Sequence, residues 1–295
     1  RTGGKSAAQA MIKLGVAKLP EVAKDNTDRN RTSPFAFTGA KFEFRAVGSS
    51  QSIAFPVMIL NTVVADAITD LTAQLKKELA GGGSVDDAAL KVARKAFKET
   101  SAIRFEGNGY SEAWVKEAKK RGLLNLRRAP EALAQLTTKA AKDLFTTTGV
   151  LSAPELDSRY HVRVERYVKD VLIEMETLAE LLDTMILPAG YAYLGSLAEG
   201  AAKTKAAGVK VVPQKAALES VGKLVTTLQS KTAALHAAIK KAHALHDDVA
   251  KCAAFLTSAG ADAMLAAREV SDKLEVSIGD QHWPLPRYRE MLFPV

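Results

Sequence analysis

Residues 161–188 read HVRVERYVKDVLIEMETLAELLDTMILP, and their apolar positions settle the class of structure. Val164, Val168, Val171, Met175, Leu178, Leu182 and Met185 recur at alternating spacings of four and three, which places them on one face of an α-helix. A strand would need alternation with period two. Pro188 with Ala189 and Gly190 permits a kink at the end of this seam. Glu174, Glu176, Glu180 and Asp183 fall on its flank and read as ion-pairing surface carboxylates rather than catalytic acids. A second seam runs Leu218, Val221, Val225, Leu228, Thr232, Leu235, Ile239, Ala242, His246, Val249, Ala253 and Leu256. Gly208 to Pro213 connects the two seams, and Ser258-Ala-Gly260 reads as the divider of the last two helices. The tail from Gln281, with Trp283-Pro-Leu-Pro286, is too rich in proline for a helix and reads as an extended strap.

Working toward the amino terminus, the pattern stays helical. Pro130 suits the first turn of a helix extending to about Phe145, Ser111 caps one reaching about Gly122, and Ser84 with Asp86 and Asp87 starts one reaching about Thr100. Before Gly81-Gly82-Gly83, the positions Val57, Leu60, Val64, Ile68 and Leu71 mark a helix from Pro56 to about Leu79. Ala7 to Lys24 reads as a short helix ending near Leu19-Pro20. Between that helix and Pro56 the periodicity changes. Lys41-Phe-Glu-Phe-Arg45 alternates with period two, so a strand here sets Lys41, Glu43 and Arg45 on one face and Phe42 and Phe44 on the other. A carboxylate flanked by two cations suits a metal-bound phosphate, since the carboxylate can hold a hard cation and arginine can meet phosphate oxygens bidentately. The alternation alone favours an amphipathic strand with a solvated ion-pair face, since such surface pairs are common.

Those residues carry a family resemblance. The run Asp25-Asn-Thr-Asp-Arg-Asn-Arg-Thr-Ser-Pro-Phe-Ala-Phe-Thr-Gly39, followed by Lys41-Phe-Glu-Phe-Arg-Ala-Val-Gly-Ser-Ser50, resembles type III glutamine synthetase. The segments Tyr160 to Pro188 and Trp283 to Phe293 are similar to the carboxyl-terminal part of the same type. The resemblance implies ATP-dependent ligation of ammonia to glutamate through a glutamyl phosphate, with Mg2+ or Mn2+ as the divalent metal. It assigns Glu43 as a metal ligand, Arg45 as the catalytic contact to the transferring phosphoryl group and the substrate carboxylate, and Arg31 and Lys41 as ATP and phosphate contacts. Lys41 stands where the family more often has arginine. Phe35 to Phe37 occupy the region where another phosphate-binding arginine is usual, which leaves one family contact unassigned. The fold implied is α+β and predominantly α-helical: the end of the glutamine synthetase catalytic barrel, then a long-helix bundle. Residues 1–24 form a linker and short helix, 25–150 the last part of the catalytic domain with following helices, and 151–295 the bundle with its strap. The family works as a homo-oligomer of stacked rings. The chain starts at Arg1 and lacks the family's upstream metal-binding carboxylates, so it reads as a fragment or processed chain that is inactive by itself.

Composition bounds the alternatives. With 295 residues, 47% hydrophobic and 25% charged, the chain can bury one large or two ordinary cores. The formal charge of +8 admits nucleic acid, membrane surface or small anions as partners. Lysines interspersed with acidic residues at helix-surface spacing, and no recognition motif, favour a solvated surface over nucleic-acid binding. The single cysteine, Cys252, excludes an internal disulfide and reads as a buried inert thiol. No uninterrupted apolar run reaches the ~20 residues that span a bilayer, so no membrane partner and a cytoplasmic location are expected. His236, His243 and His246 with Asp247 raise zinc binding, but they read more simply as core and surface histidines. A different class of function, a non-enzymatic helical oligomerisation or regulatory module that inherited the motif, stands as the alternative.

Overall fold

The computed structural model describes residues 11–12, 22–23, 35–37, 42–44, 51–105 and 108–292. It is predominantly α-helical and divides into two compact units, Arg1–Asn125 and Leu126–Val295.

In the first unit, β1 (Met11–Ile12) pairs antiparallel with β2 (Val22–Ala23), and β3 (Phe35–Phe37) pairs antiparallel with β4 (Phe42–Phe44). The first pair corrects the helix expected across Ala7–Lys24: Ile12 and Val22 are β-branched, and Pro20 between them interrupts a helix. The described residues then turn helical at α1 (Ala54–Ala80), which ends at Gly81, with Gly82 at a φ of 77°. Only glycine adopts that left-handed value without strain. α2 (Val85–Glu99) begins as expected, with the Ser84 hydroxyl accepting from the Asp87 amide at 3.1 Å. α3 (Glu112–Lys120) is capped by Ser111, which accepts from the Trp114 amide at 3.2 Å. Trp114 stacks on Phe105 with ring centroids 4.0 Å apart. The Arg121 guanidinium lies 5.3 Å from the Trp114 ring centre and donates to the Arg104 carbonyl at 2.8 Å, tying the end of α3 to the segment before it.

The second unit begins with a correction. The helix expected from Pro130 to Phe145 is broken into α4 (Ala129–Leu133), a 3-10 turn (Ala134–Thr137) and α5 (Lys139–Thr147). Thr138 adopts an extended backbone, and its hydroxyl accepts from the Ala141 amide at 3.3 Å, so a cap residue restarts the helix mid-run. These pieces bury Leu136, Phe145 and Leu151 and pack on α6 (Ala153–Leu181), within the compact unit that starts at Leu126. α6 opens with a capping box: the Ser152 amide donates to Glu155 Oε2 at 2.8 Å, and the Glu155 amide donates to the Ser152 hydroxyl at 3.4 Å.

The seam expected in residues 161–188 is present, with Val164, Val168, Met175 and Leu182 buried. At its end the helix does not stop. A π turn, Leu182–Ile186, leads directly into α7 (Leu187–Ala206), and Pro188 falls in the first turn of α7. The widened turn accommodates the residue that lacks an amide hydrogen. α8 (Val212–Ala244) carries the second seam, burying Val221, Val225, Leu228, Thr232, Leu235 and Ala242 between α7 and α10 (Ala261–Ser277). That seam ends sooner than the spacing predicts. α8 stops at Ala244, His246 is exposed in the following turn, and Asp248 caps α9 (Val249–Phe255) by accepting from the Lys251 amide at 3.0 Å.

Ser258-Ala-Gly260 divides nothing, because a second π turn, Leu256–Gly260, joins α9 to α10 without a break. A Cβ on Gly260 would stand 3.4 Å from Leu256 Cδ2 and 3.5 Å from Met175 Sδ, ordinary contact distances that leave room for a methyl group. Gly190 on α7 is tighter, its added Cβ falling 2.9 Å from Val225 Cγ2 and 3.4 Å from Leu274 Cδ2. The tail packs as the expected strap over Trp283 to Arg287: Trp283 is buried, and Arg287 donates to the Ile278 carbonyl at 2.7 Å. It then closes with a helical turn, α11 (Tyr288–Leu292). Two helical stretches, Ala54–Ala80 and Val249–Ser277, are long and apolar enough to cross a membrane by length and composition, although polar residues interrupt both runs.

Candidate functional site

Of the four residues singled out from the sequence, Glu43 lies within the described structure, whereas Arg31, Lys41 and Arg45 lie outside the described residues. Glu43 is the central residue of β4, and the antiparallel register sets it opposite Ala36, with Phe35 opposite Phe44 and Phe37 opposite Phe42. The strand read from the alternation is thus present over Phe42–Phe44, and β3 is its partner. The signal was available. Phe35-Ala-Phe37 repeats the aromatic alternation of Phe42-Glu-Phe44, with Thr38-Gly-Ala-Lys41 between them.

Glu43 is half-buried, and its register partner is a small alanine. An oxygen donor in that setting suits a hard divalent cation, but such an ion takes about six ligands. Among the described residues no group of three His, Cys, Asp or Glu side chains converges.

The histidines resolve differently. His236 Nε2 is 2.6 Å from Asp183 Oδ2, and His243 Nε2 is 2.7 Å from Glu176 Oε1. Asp183 and Glu176 are seven residues apart, as are the two histidines, so two antiparallel helical stretches are cross-linked twice at matching intervals. Each pair is about half exposed, which marks surface ion pairing of small energetic weight. His246 meets its own turn, through Asp247 at 3.0 Å and the His243 carbonyl at 3.2 Å. Glu176 and Asp183 behave as the ion-pairing flank that the sequence predicts. Cys252 is fully buried with Sγ 3.4 Å from the Ala242 carbonyl, and burial pushes its thiol pKa up, opposite to what a nucleophile needs. An open groove of about 890 Å³ between α8 and α10 is walled by Glu219, Lys223, Leu224, Asp272, Lys273 and Val276. With Glu269 it carries acidic and basic side chains together.

Likeness to known proteins defines the class first. The family of the glutamine synthetase C-terminal domain matches residues 88–205, from within α2 to the end of α7. Relatives then narrow the class to a type. The chain is 37% identical over 286 residues to the type-3 glutamine synthetase of Dictyostelium discoideum, a match covering 95% of this chain and 39% of that protein. It is 34% identical over 289 residues to a glutamine synthetase of Bacteroides fragilis (strain YCH46), covering 96% of this chain and 39% of the relative. For a glutamine synthetase of Butyrivibrio fibrisolvens the identity is 31% over 277 residues, covering 92% of this chain and 38% of the relative. The resemblance to type III glutamine synthetase therefore extends over nearly the whole chain. The chain spans about two fifths of the length of the curated relatives it matches.

Proposed function

We propose that these residues are part of an ATP-dependent glutamine synthetase, and the observation that carries the reading is the 37% identity to a type-3 enzyme across 95% of the chain. In the reaction the side-chain carboxylate of glutamate attacks the terminal phosphorus of ATP, forming an acyl phosphate and releasing ADP. Ammonia then attacks the acyl carbon, phosphate leaves, and a proton is lost. Little of this needs covalent work by the protein, so positioning and charge neutralisation dominate. Glu43 holds a divalent metal, Mg2+ or Mn2+, which when bound neutralises phosphate charge. Arg31 and Lys41 hold the nucleotide phosphates, and Arg45 contacts the transferring phosphoryl group and the substrate carboxylate. β3 and β4 are the closing hairpin of the catalytic barrel, residues 25–150 continue that domain into helices, and the bundle of 151–295 supports the barrel and assembly into stacked rings. The enzyme works in the cytoplasm.

On this reading the rest of the catalytic centre lies in the longer protein, and the 295 residues alone are inactive. In the full-length protein Glu43→Gln weakens metal-dependent nucleotide binding and cripples turnover, while Arg45→Ala mainly lowers kcat. Steady-state assays of glutamine formation test both, and wild-type kinetics in the two variants would refute the assigned roles. The second reading, a helical assembly module without catalysis, draws support from the family match lying wholly within residues 88–205, outside the motif. It predicts oligomerisation with no ATP affinity.

A further inference from the structure

α1 is more apolar than its surroundings account for. Its eighteen-residue apolar window has a mean hydropathy of 1.4, yet 6% of that window is buried. Val57, Val64, Ile68 and Leu71 stand 40%, 40%, 59% and 39% exposed, and at about 100° per residue they form one stripe along the helix. Val63, 45% exposed, lies about a third of a turn away from that stripe. From residue 63 to residue 73 every position is exposed, and the only charges there are Asp66 and Asp70. A helix apolar on more than one side belongs in the interior of a larger body. α2 meets α1 near its carboxyl end, where Lys95 Nζ donates to Gln74 Oε1 at 3.0 Å and Lys91 pairs with Glu78 at 3.5 Å, and it leaves the stripe open.

We propose that α1 is a core helix whose cover is another part of the same polypeptide, in the portion that the relatives possess beyond the two fifths matched here. This rests on the reading of the chain as part of a longer synthetase. Three observations favour that occupant. The relatives supply roughly one and a half times this length of additional chain, enough for a domain to enclose a helix about 40 Å long. A second copy of α1 would pair along one stripe and leave Val63 open. A bilayer would take up Asp66 and Asp70 in the middle of the helix, each at a cost of several kcal/mol.

The test is thiol labelling of the full-length protein, with Val64→Cys, Ile68→Cys and, as the exposed control, Lys77→Cys, read by mass spectrometry of the peptide containing α1. The expected result is labelling about tenfold or more slower at positions 64 and 68 than at 77, with the protection retained when subunits are dissociated by dilution and lost in denaturant. Equal rates at the three positions overturn the inference. Protection lost on dissociation assigns the cover to a neighbouring subunit, and protection that appears only with anionic phospholipid vesicles assigns it to a membrane; either overturns the same-chain assignment. Glutamine formation is assayed on the same samples. Free labelling in an active enzyme sinks this inference and leaves the proposed function standing, whereas protection in a protein with no activity does the reverse.

Discussion

Single residues carry the sharpest constraints. Gly190 lets α7 approach α8 and α10, and an added methyl 2.9 Å from Val225 Cγ2 forces that side chain or the helix to move. Gly190→Ala should cost about 1–3 kcal/mol, the usual penalty of overpacking, measured by urea denaturation of the chain against wild type. At Leu228, fully buried on α8, Asp introduces an unpaired charge into an apolar contact. Leu228→Asp should lower the denaturation midpoint far more than the same change at exposed Ala233, and equal midpoints would place the seam outside the core. The roles of Glu43 and Arg45 belong to this scale too. What could be read of them in the sequence was the alternation of Phe with charge. What could not was what Glu43 meets across the hairpin, because that depends on the register, which sets it opposite Ala36.

At the scale of elements, the sequence was most legible where local chemistry is self-contained. Ser84 and Ser111 mark helix starts through side chains that accept from amides three residues on, and the spacing that predicts α6 and α8 names their buried faces, whereas the Ser152 cap went unread. It was least legible where tertiary packing overrides a local breaker. Gly260 and Pro188 read as interruptions, yet π turns carry the helices past both, since packing against neighbouring helices outweighs the local preference. The reverse failure is Thr138, an ordinary helix-surface residue by pattern that acts as a cap. The capping box of α6 gives a pH prediction. The Ser152 amide and hydroxyl hold the Glu155 carboxyl below the usual carboxylate range. A carboxyl whose folded pKa is depressed contributes stability that is present above its unfolded pKa and is lost as pH falls through the folded value. Wild type should therefore lose its stability advantage over Glu155→Gln as pH falls into and below the acidic carboxylate range. At neutral pH, Ser152→Ala should cost about 1 kcal/mol, checked by thermal unfolding followed by circular dichroism. A wild-type advantage unchanged down to low pH would show that the box contributes nothing as an ion.

For the molecule as a whole, the predominantly helical class was legible because long seams repeat over most of the chain. Phe145, Leu151 and Leu136 attach the helices after Leu126 to α6, and that attachment depends on contacts distant in sequence that no spacing reveals. The proposed function and the proposed cover of α1 share one premise, that these 295 residues are part of a longer synthetase like the relatives, of which the chain spans about two fifths. The direct test is native mass spectrometry of the protein purified from its source, reading subunit mass and assembly size in one experiment. A subunit more than twice the 31.6 kDa of this chain, assembled into a large ring, is the predicted result. A subunit of 31.6 kDa would contradict the account, leaving catalysis by the synthetase mechanism untenable and the helical assembly module as the function.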